Sequence, residues 1–332
     1  MFKIEIVKKG IVFSNDIYTI LKGKNAVDFS YENAGLHIPT EDEIQTVRQD
    51  FAKDVNRIFE NEATIYSEEE MKSFMFESFE SDDDGYPIVS LDKIYYDSDE
   101  KNCISYYLDC TRLEGEKELV SRKRPDDKNN VEQQIKSISQ ELQGKGINEV
   151  ILVDDVVFTG DALRRISQLF DKYSIEVIGI RSAISSKDGF DYFNRCLRKG
   201  LRCGCMLGED VIDQICERDF YFGIAQSGIS VKTPSGKILK APYFKPFGNP
   251  ERRASIPSEY VDFFSNGCLM RSMFLWKQME NRSGREIYVR DLPEQIVKTK
   301  NDDRVLEVLK KGLVYDEKDT NRSDGVSRWF KL

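Results

Sequence analysis

An α/β fold, a parallel sheet flanked by helices, is predicted because strand-like and helix-like runs alternate through the middle of this 332-residue chain. Val150-Ile151-Leu152-Val153 is short and wholly apolar, the pattern of a strand buried on both faces, and Ile175-Glu176-Val177-Ile178-Gly179-Ile180 reads as another buried strand. Around them, apolar residues recur at helical spacing: Val131, Ile135, Ile138 and Leu142 before the first run, Leu163, Ile166 and Phe170 between the two. In such a fold the ligand site is expected at the carboxyl ends of the strands.

Residues 1–35 read as short strands and turns, with Phe2, Ile4 and Ile6 alternating before Gly10-Ile11-Val12-Phe13. Thr40 and Glu43 form a capping box, and Ile44, Val47, Phe51, Val55 and Ile58 behind it make one apolar helical face. A second helix is expected from Ser67 to near Glu80, its first-turn Glu68, Glu69 and Glu70 suiting the helix dipole better than a metal. Asp82-Asp83-Asp84-Gly85 reads as a turn. From Asp92 the composition turns to strand formers, in 93–96, in 103–108 and, with a basic end, in 118–125. A helix at 131–144 then leads into the central strand at 148–153.

The junction after that strand carries the chemistry. Asp154 and Asp155 end the apolar run, and Thr159-Gly160 opens the helix 161–173. A helix N-terminus presents unpaired N–H groups and partial positive charge, which suit a phosphate. Thr159 adds a hydroxyl donor, and Gly160 allows close approach of backbone to an anion. The carboxylates accept only, so they suit vicinal hydroxyls or a hard cation such as magnesium. Hydroxyls beside a phosphate describe a ribose 5-phosphate. An acidic pair ending a buried strand also occurs in other α/β folds; the Thr-Gly loop is what makes the pattern specific.

Apolar strand, Asp-Asp, short loop and Thr-Gly together resemble the phosphoribosyl-diphosphate (PRPP) motif of type I phosphoribosyltransferases. The resemblance covers about residues 100–185. It implies that Asp154 and Asp155 hold the ribose hydroxyls and a magnesium ion, while Thr159, Gly160, Asp161 and Ala162 cradle the 5-phosphate and Phe158 belongs to the PRPP site beside them. Three positions depart from the family pattern. Ala162 stands where Thr or Ser is usual, Asp161 puts a carboxylate into an anion cradle, and Phe158 replaces the acidic base of purine-salvage members, as in regulatory pyrimidine relatives. In the family, a loop after the first core strand binds pyrophosphate and a mobile basic loop follows the second. By order along the chain these fall at 109–115 and 121–130, which makes Arg112 the pyrophosphate ligand and Arg122, Lys123 and Arg124 the closing cluster. A solvated basic strand end is the alternative for that cluster.

Beyond 188–199, a short helix, the stretch 201–250 reads as irregular and 201–256 as a small hood over the site. Tyr221 and Phe222 suit stacking on an acceptor base or, equally, the hood's own core. Helices are expected at 257–280 and 303–311, the first with aromatic mass fit for a homodimer contact. The domains are thus 1–91, 92–200, 201–256 and 257–332. No apolar run reaches the roughly 18–20 residues that span a bilayer, and no apolar signal region opens the chain, so a cytoplasmic location is expected. A net charge of -9 disfavours broad nucleic-acid binding. Seven cysteines without a signal imply reduced thiols, and 196–216 lacks the paired spacing of a zinc site. His37, the only histidine, reads as a loop residue beside a helix start. The expected function is magnesium-dependent transfer of the 5-phosphoribosyl group from PRPP to a small nitrogen acceptor. The alternatives are a non-catalytic PRPP- or nucleotide-binding regulatory module on the same fold and an unrelated α/β interaction protein.

Overall fold

A computed structural model of the chain describes residues 4–23, 29–83, 85–96, 104–112, 119–120 and 130–313, with Arg112 described as backbone only. Strand β1 (Glu5–Ser14) and helix α1 (Ile17–Lys22) come first, then α2 (Glu41–Ile58), β2 (Ala63–Tyr66) and α3 (Glu68–Glu77). Capping boxes start α2 (Thr40 with Glu43) and α3 (Ser67 with Glu70), and α2 buries the five apolar residues that its spacing marks. Two short strands follow, β3 (Ile88–Ser90) and β4 (Ser105–Tyr107), then a small antiparallel pair, β5 (Thr111–Arg112) with β6 (Leu119–Val120). Helix α4 (Val131–Gly144) starts from an Asn130–Gln133 capping box. Next come β7 (Glu149–Val157), α5 (Asp161–Lys172), β8 (Glu176–Ser186), α6 (Lys187–Cys196) and β9 (Leu201–Cys216). The remainder holds an antiparallel pair, β10 (Ile229–Lys232) with β11 (Ile238–Ala241), and helices α7 (Pro250–Ala254), α8 (Val261–Ser283) and α9 (Val305–Gly312).

Seven strands form the main sheet in the order β2-β1-β9-β8-β7-β3-β4, and from β9 to β4 every neighbouring pair is parallel. Chain order reverses at β3: the next strand, β4, lies on one side of it and β7 on the other. The gap between the carboxyl ends of β3 and β7 is therefore a topological switch point. Val150, Leu152, Ile180 and Leu201 of the sheet pack with Ile135, Leu142, Leu163, Ile166, Phe170 and Phe193 of α4, α5 and α6 in one fully buried cluster. Strand alternation turns Arg181 to the opposite side from Ile180. There it meets Asp83 of the turn Ser81–Asp83, which follows α3.

The chain divides into two compact units that are discontinuous in sequence. One comprises Met1–Ser14, Tyr66–Gln214 and Pro234–Lys237; the other, Asn15–Ile65, Ile215–Thr233 and Ile238–Leu332. In the second unit Phe51 stacks on Phe220, Phe264 meets both edge-on, and Trp276 is fully buried. Helix α8 buries most of its apolar residues, among them Phe264, Leu269, Leu275 and Trp276. No helix among the described residues is long and apolar enough to cross a membrane.

Three strand boundaries differ from the sequence reading, each for a local reason. Residues 93–96 turn instead of forming a strand, because the Asp92 carboxylate accepts from the N–H groups of Ile94, Tyr95 and Tyr96. The strand lies just before, at β3, and is too short for periodicity to register. The central strand continues through the acidic pair, since β8 is long enough to pair with it from Glu149 to Val157, with Asp154 opposite Ser182. The irregular stretch from 201 begins instead with β9, whose glycines mark close backbone approach. A Cβ on Gly204 would lie 2.4 Å from the Phe74 backbone, and one on Gly208 3.0 Å from the Lys8 carbonyl oxygen.

Candidate functional site

The acidic pair sits at the switch point. Leu91 N–H donates to the Val153 carbonyl at 2.8 Å, which carries the β3–β7 ladder up to the carboxylates and sets Asp92 beside them. Asp154 and Asp155 are half-buried. Asp154 Oδ1 accepts from the Asp155 N–H at 3.1 Å, and Asp155 Oδ1 from the Val156 N–H at 2.8 Å. These bonds orient the carboxylates. Asp92 is buried, and burial first, then the Asp155 charge, push its carboxyl up to about 6. Asp92 is a third acid at the site, and sequence reasoning missed it. The signal was the repeat of one pattern: Ile88-Val89-Ser90-Leu91 runs into an acid as Val150-Ile151-Leu152-Val153 does.

Beyond β7 the chain turns through exposed Phe158 and Thr159 into α5. Gly160 is the N-cap at φ 71°, and a Cβ there would come within 2.5 Å of the Phe193 ring. Its lack of a side chain thus serves the turn and the packing of α6 as well as any approach to an anion. Ser186 caps α6 by accepting from the Gly189 N–H and donates its hydroxyl to the Phe158 carbonyl at 2.6 Å. Gly189 lets the start of α6 press on the loop, since a Cβ there would lie 2.8 Å from the Phe158 carbonyl oxygen. The loop is therefore braced from behind by α6, with Ser186, Gly189 and Phe193 as the supports.

Asp161 turns back into the loop. Its carboxylate accepts from the Thr159 hydroxyl at 3.0 Å and pairs with Arg164. The Thr159 bond, then the Arg164 and Arg165 charges, hold the Asp161 carboxyl below its usual range. The carboxylate therefore turns toward the loop, where a bound anion would compete with it for the Thr159 hydroxyl. Ala162 offers no side-chain donor.

A cavity of about 460 Å³ opens against the loop. Phe158, Thr159 and Arg164 form one wall, Lys187, Tyr192 and Arg195 of α6 another, and Leu207, Glu209 and Val211 of β9 a third. Lys187 pairs with Asp191, and the Arg164 guanidinium lies over the Tyr192 ring, 4.7 Å from its centroid. The lining includes neither Asp154 nor Asp155.

The structure brings Asp154, Asp155, Phe158, Thr159, Gly160, Asp161 and Ala162 onto one strand-to-helix junction. Tyr221 and Phe222 are in the core of the second unit instead. Both are fully buried, with the Tyr221 hydroxyl donating to Glu217 and the Phe222 carbonyl accepting from Trp276, so neither presents a face for stacking on a base. The side chain of Arg112 and residues Arg122, Lys123 and Arg124 lie outside the described residues. The described cysteines are free thiols, and burial pushes Cys203 up to about 12 and Cys205 up to about 11, as expected of buried thiols. Among the described residues the one group of acids close enough to share an ion is Glu80, Asp82 and Asp83. Arg202, Lys199 and Arg181 already neutralise it.

No family model, curated protein or solved structure matches the chain.

Proposed function

We propose that the first unit is a type I phosphoribosyltransferase-like domain that binds PRPP and transfers its 5-phosphoribosyl group to a nitrogen acceptor. One observation carries the reading. An acidic pair at the switch point of a parallel sheet leads, across a braced Thr-Gly loop at a helix N-terminus, into a cavity large enough for a heterocycle. Asp154 and Asp155 would accept from the ribose hydroxyls, and the loop and the first turn of α5 would face the 5-phosphate. The acceptor would enter the cavity beside Phe158. This assignment replaces Tyr221 and Phe222.

Asp154 and Asp155 are hard oxygen donors; magnesium held there would take its other ligands from the diphosphate and water and would neutralise charge on the diphosphate. Displacement at the anomeric carbon needs positioning and leaving-group stabilisation more than a strong nucleophile. Carboxylates that fix the ribose ring present that carbon to the acceptor, and the cavity walls hold the acceptor against it. Strand order also shifts the expected loops. With β3 and β4 as the first two core strands, the loop of the pyrophosphate-binding type is 91–96, and the basic loop follows Leu108. Arg112, on β5, then falls beyond the second core strand.

The non-catalytic alternative has a specific observation in its favour. Three successive N–H groups of the 91–96 loop are bonded to Asp92, so they are not available to a diphosphate. The two readings separate in a pyrophosphate-release assay with PRPP, magnesium and a panel of purines, pyrimidines and pyridine carboxylates. Release with at least one acceptor is expected of a transferase. PRPP binding with no release on any acceptor assigns the chain to the regulatory alternative.

A further inference from the structure

We infer that Arg164 is the side-chain phosphate ligand of the 158–161 loop and that Asp161 is its built-in competitor; this rests on the ribose-phosphate reading above. The resembling motif supplies a Thr or Ser hydroxyl at the position of Ala162, which has none. A cation is already in place to substitute. Arg164 Nη2 donates to the Thr159 carbonyl at 3.2 Å and pairs with Asp161, while its guanidinium carbon lies 4.7 Å from the centroid of the Tyr192 ring. The carbonyl and the ring hold Arg164 at the loop independently of Asp161.

Asp161 occupies both side-chain donors of the loop. One carboxylate accepts from the Thr159 hydroxyl at 3.0 Å and from the Arg164 guanidinium, the arrangement that a bound anion would have. A phosphate monoester presents more acceptor oxygens and more charge, and a guanidinium can give it two parallel bonds. The Asp161 side chain is 58% exposed, so its pair with Arg164 is weak and a change of rotamer releases it. Access is open because Thr159 and Arg164 both line the cavity of about 460 Å³. Ligand binding therefore exchanges an internal carboxylate for a phosphate, and Asp161 raises the ligand concentration needed.

Calorimetric titration of ribose 5-phosphate into the full-length protein and three variants tests this. Arg164→Gln should weaken binding by at least about tenfold and Arg164→Lys by less, because an ammonium cannot form the paired bonds. Asp161→Asn should tighten binding by about fivefold, having removed a competing charge but kept the side-chain size. Unchanged affinity in Arg164→Gln, or weaker binding in Asp161→Asn, overturns the inference while the ribose-phosphate site stands. If Arg164→Gln does not fold, the sign of the Asp161→Asn effect decides. Absence of binding to the wild-type protein removes the ribose-phosphate reading itself, and this inference with it.

Discussion

Gly160 shows how one position answers to two demands. Its φ of 71° is a conformation that costs a side-chain-bearing residue about 1–2 kcal/mol. A methyl group there would also run into the Phe193 ring. Gly160→Ala should therefore destabilise the fold by roughly 2–4 kcal/mol in urea denaturation, the upper part coming from overpacking. Phe193→Leu in the same chain should return the overpacking part and leave the backbone part. Equal losses in the single and double variants would show that the ring yields and only the backbone resists. Loss of ligand in a Gly160 variant consequently reports on folding as well as on the cradle. The carboxylates are cleaner probes, since Asp154 and Asp155 are half-buried and Asn can keep their backbone-orienting bonds.

Elements announced by their own local chemistry were the legible ones. The Thr40–Glu43 box marked the start of α2, because capping satisfies N–H groups within one turn, and the acidic first turn of Glu68, Glu69 and Glu70 after Ser67 marked that of α3 through the helix dipole. Helix α5 and the site loop were legible for the same reason: strand, acids, Thr-Gly and helix are contiguous. What stayed hidden depends on partners far along the chain. Strand β3 has three residues and gains meaning only from its place beside β7. Glycines of β9 read as irregular until α3 and β1 are seen lying against them. Asp83 read as a turn residue, yet it is buried and grips Arg181 with both oxygens, each bond 2.7 Å. Asp83→Ala should cost about 3–5 kcal/mol, because it leaves the buried guanidinium without its main counter-charge. Asp83→Leu combined with Arg181→Met should recover much of that loss. If the double variant is no more stable than Asp83→Ala, the cost lies in the turn and not in the ion pair.

At the scale of the molecule, each compact unit has its own charge economy. In the second unit Asp16 is buried and pairs with Arg218, yet burial outweighs the pair and pushes its carboxyl from 3.8 up to about 7. Between those values the folded state keeps a proton that the unfolded chain has released. The stabilisation is thus fully present below about pH 4 and is lost as pH rises through 7, an effect on the order of 4 kcal/mol at most. Asp16→Asn should flatten the stability profile across that window in parallel chemical denaturations; an unaltered slope would mean that Asp16 titrates as an ordinary acid. In the first unit three acids, Asp92, Asp154 and Asp155, gather at the one place where the order of the parallel strands reverses. The pair Asp154 and Asp155, leading into the Thr-Gly loop, is the reason for expecting a ribose-phosphate ligand and a cation there. Titrating PRPP with magnesium into the wild-type protein and into Asp154→Asn/Asp155→Asn tests that expectation most directly. Saturable binding by the wild type and a loss of at least about a hundredfold in the folded double variant is the expected result; equal affinity in the two proteins, or none in the wild type, would contradict it.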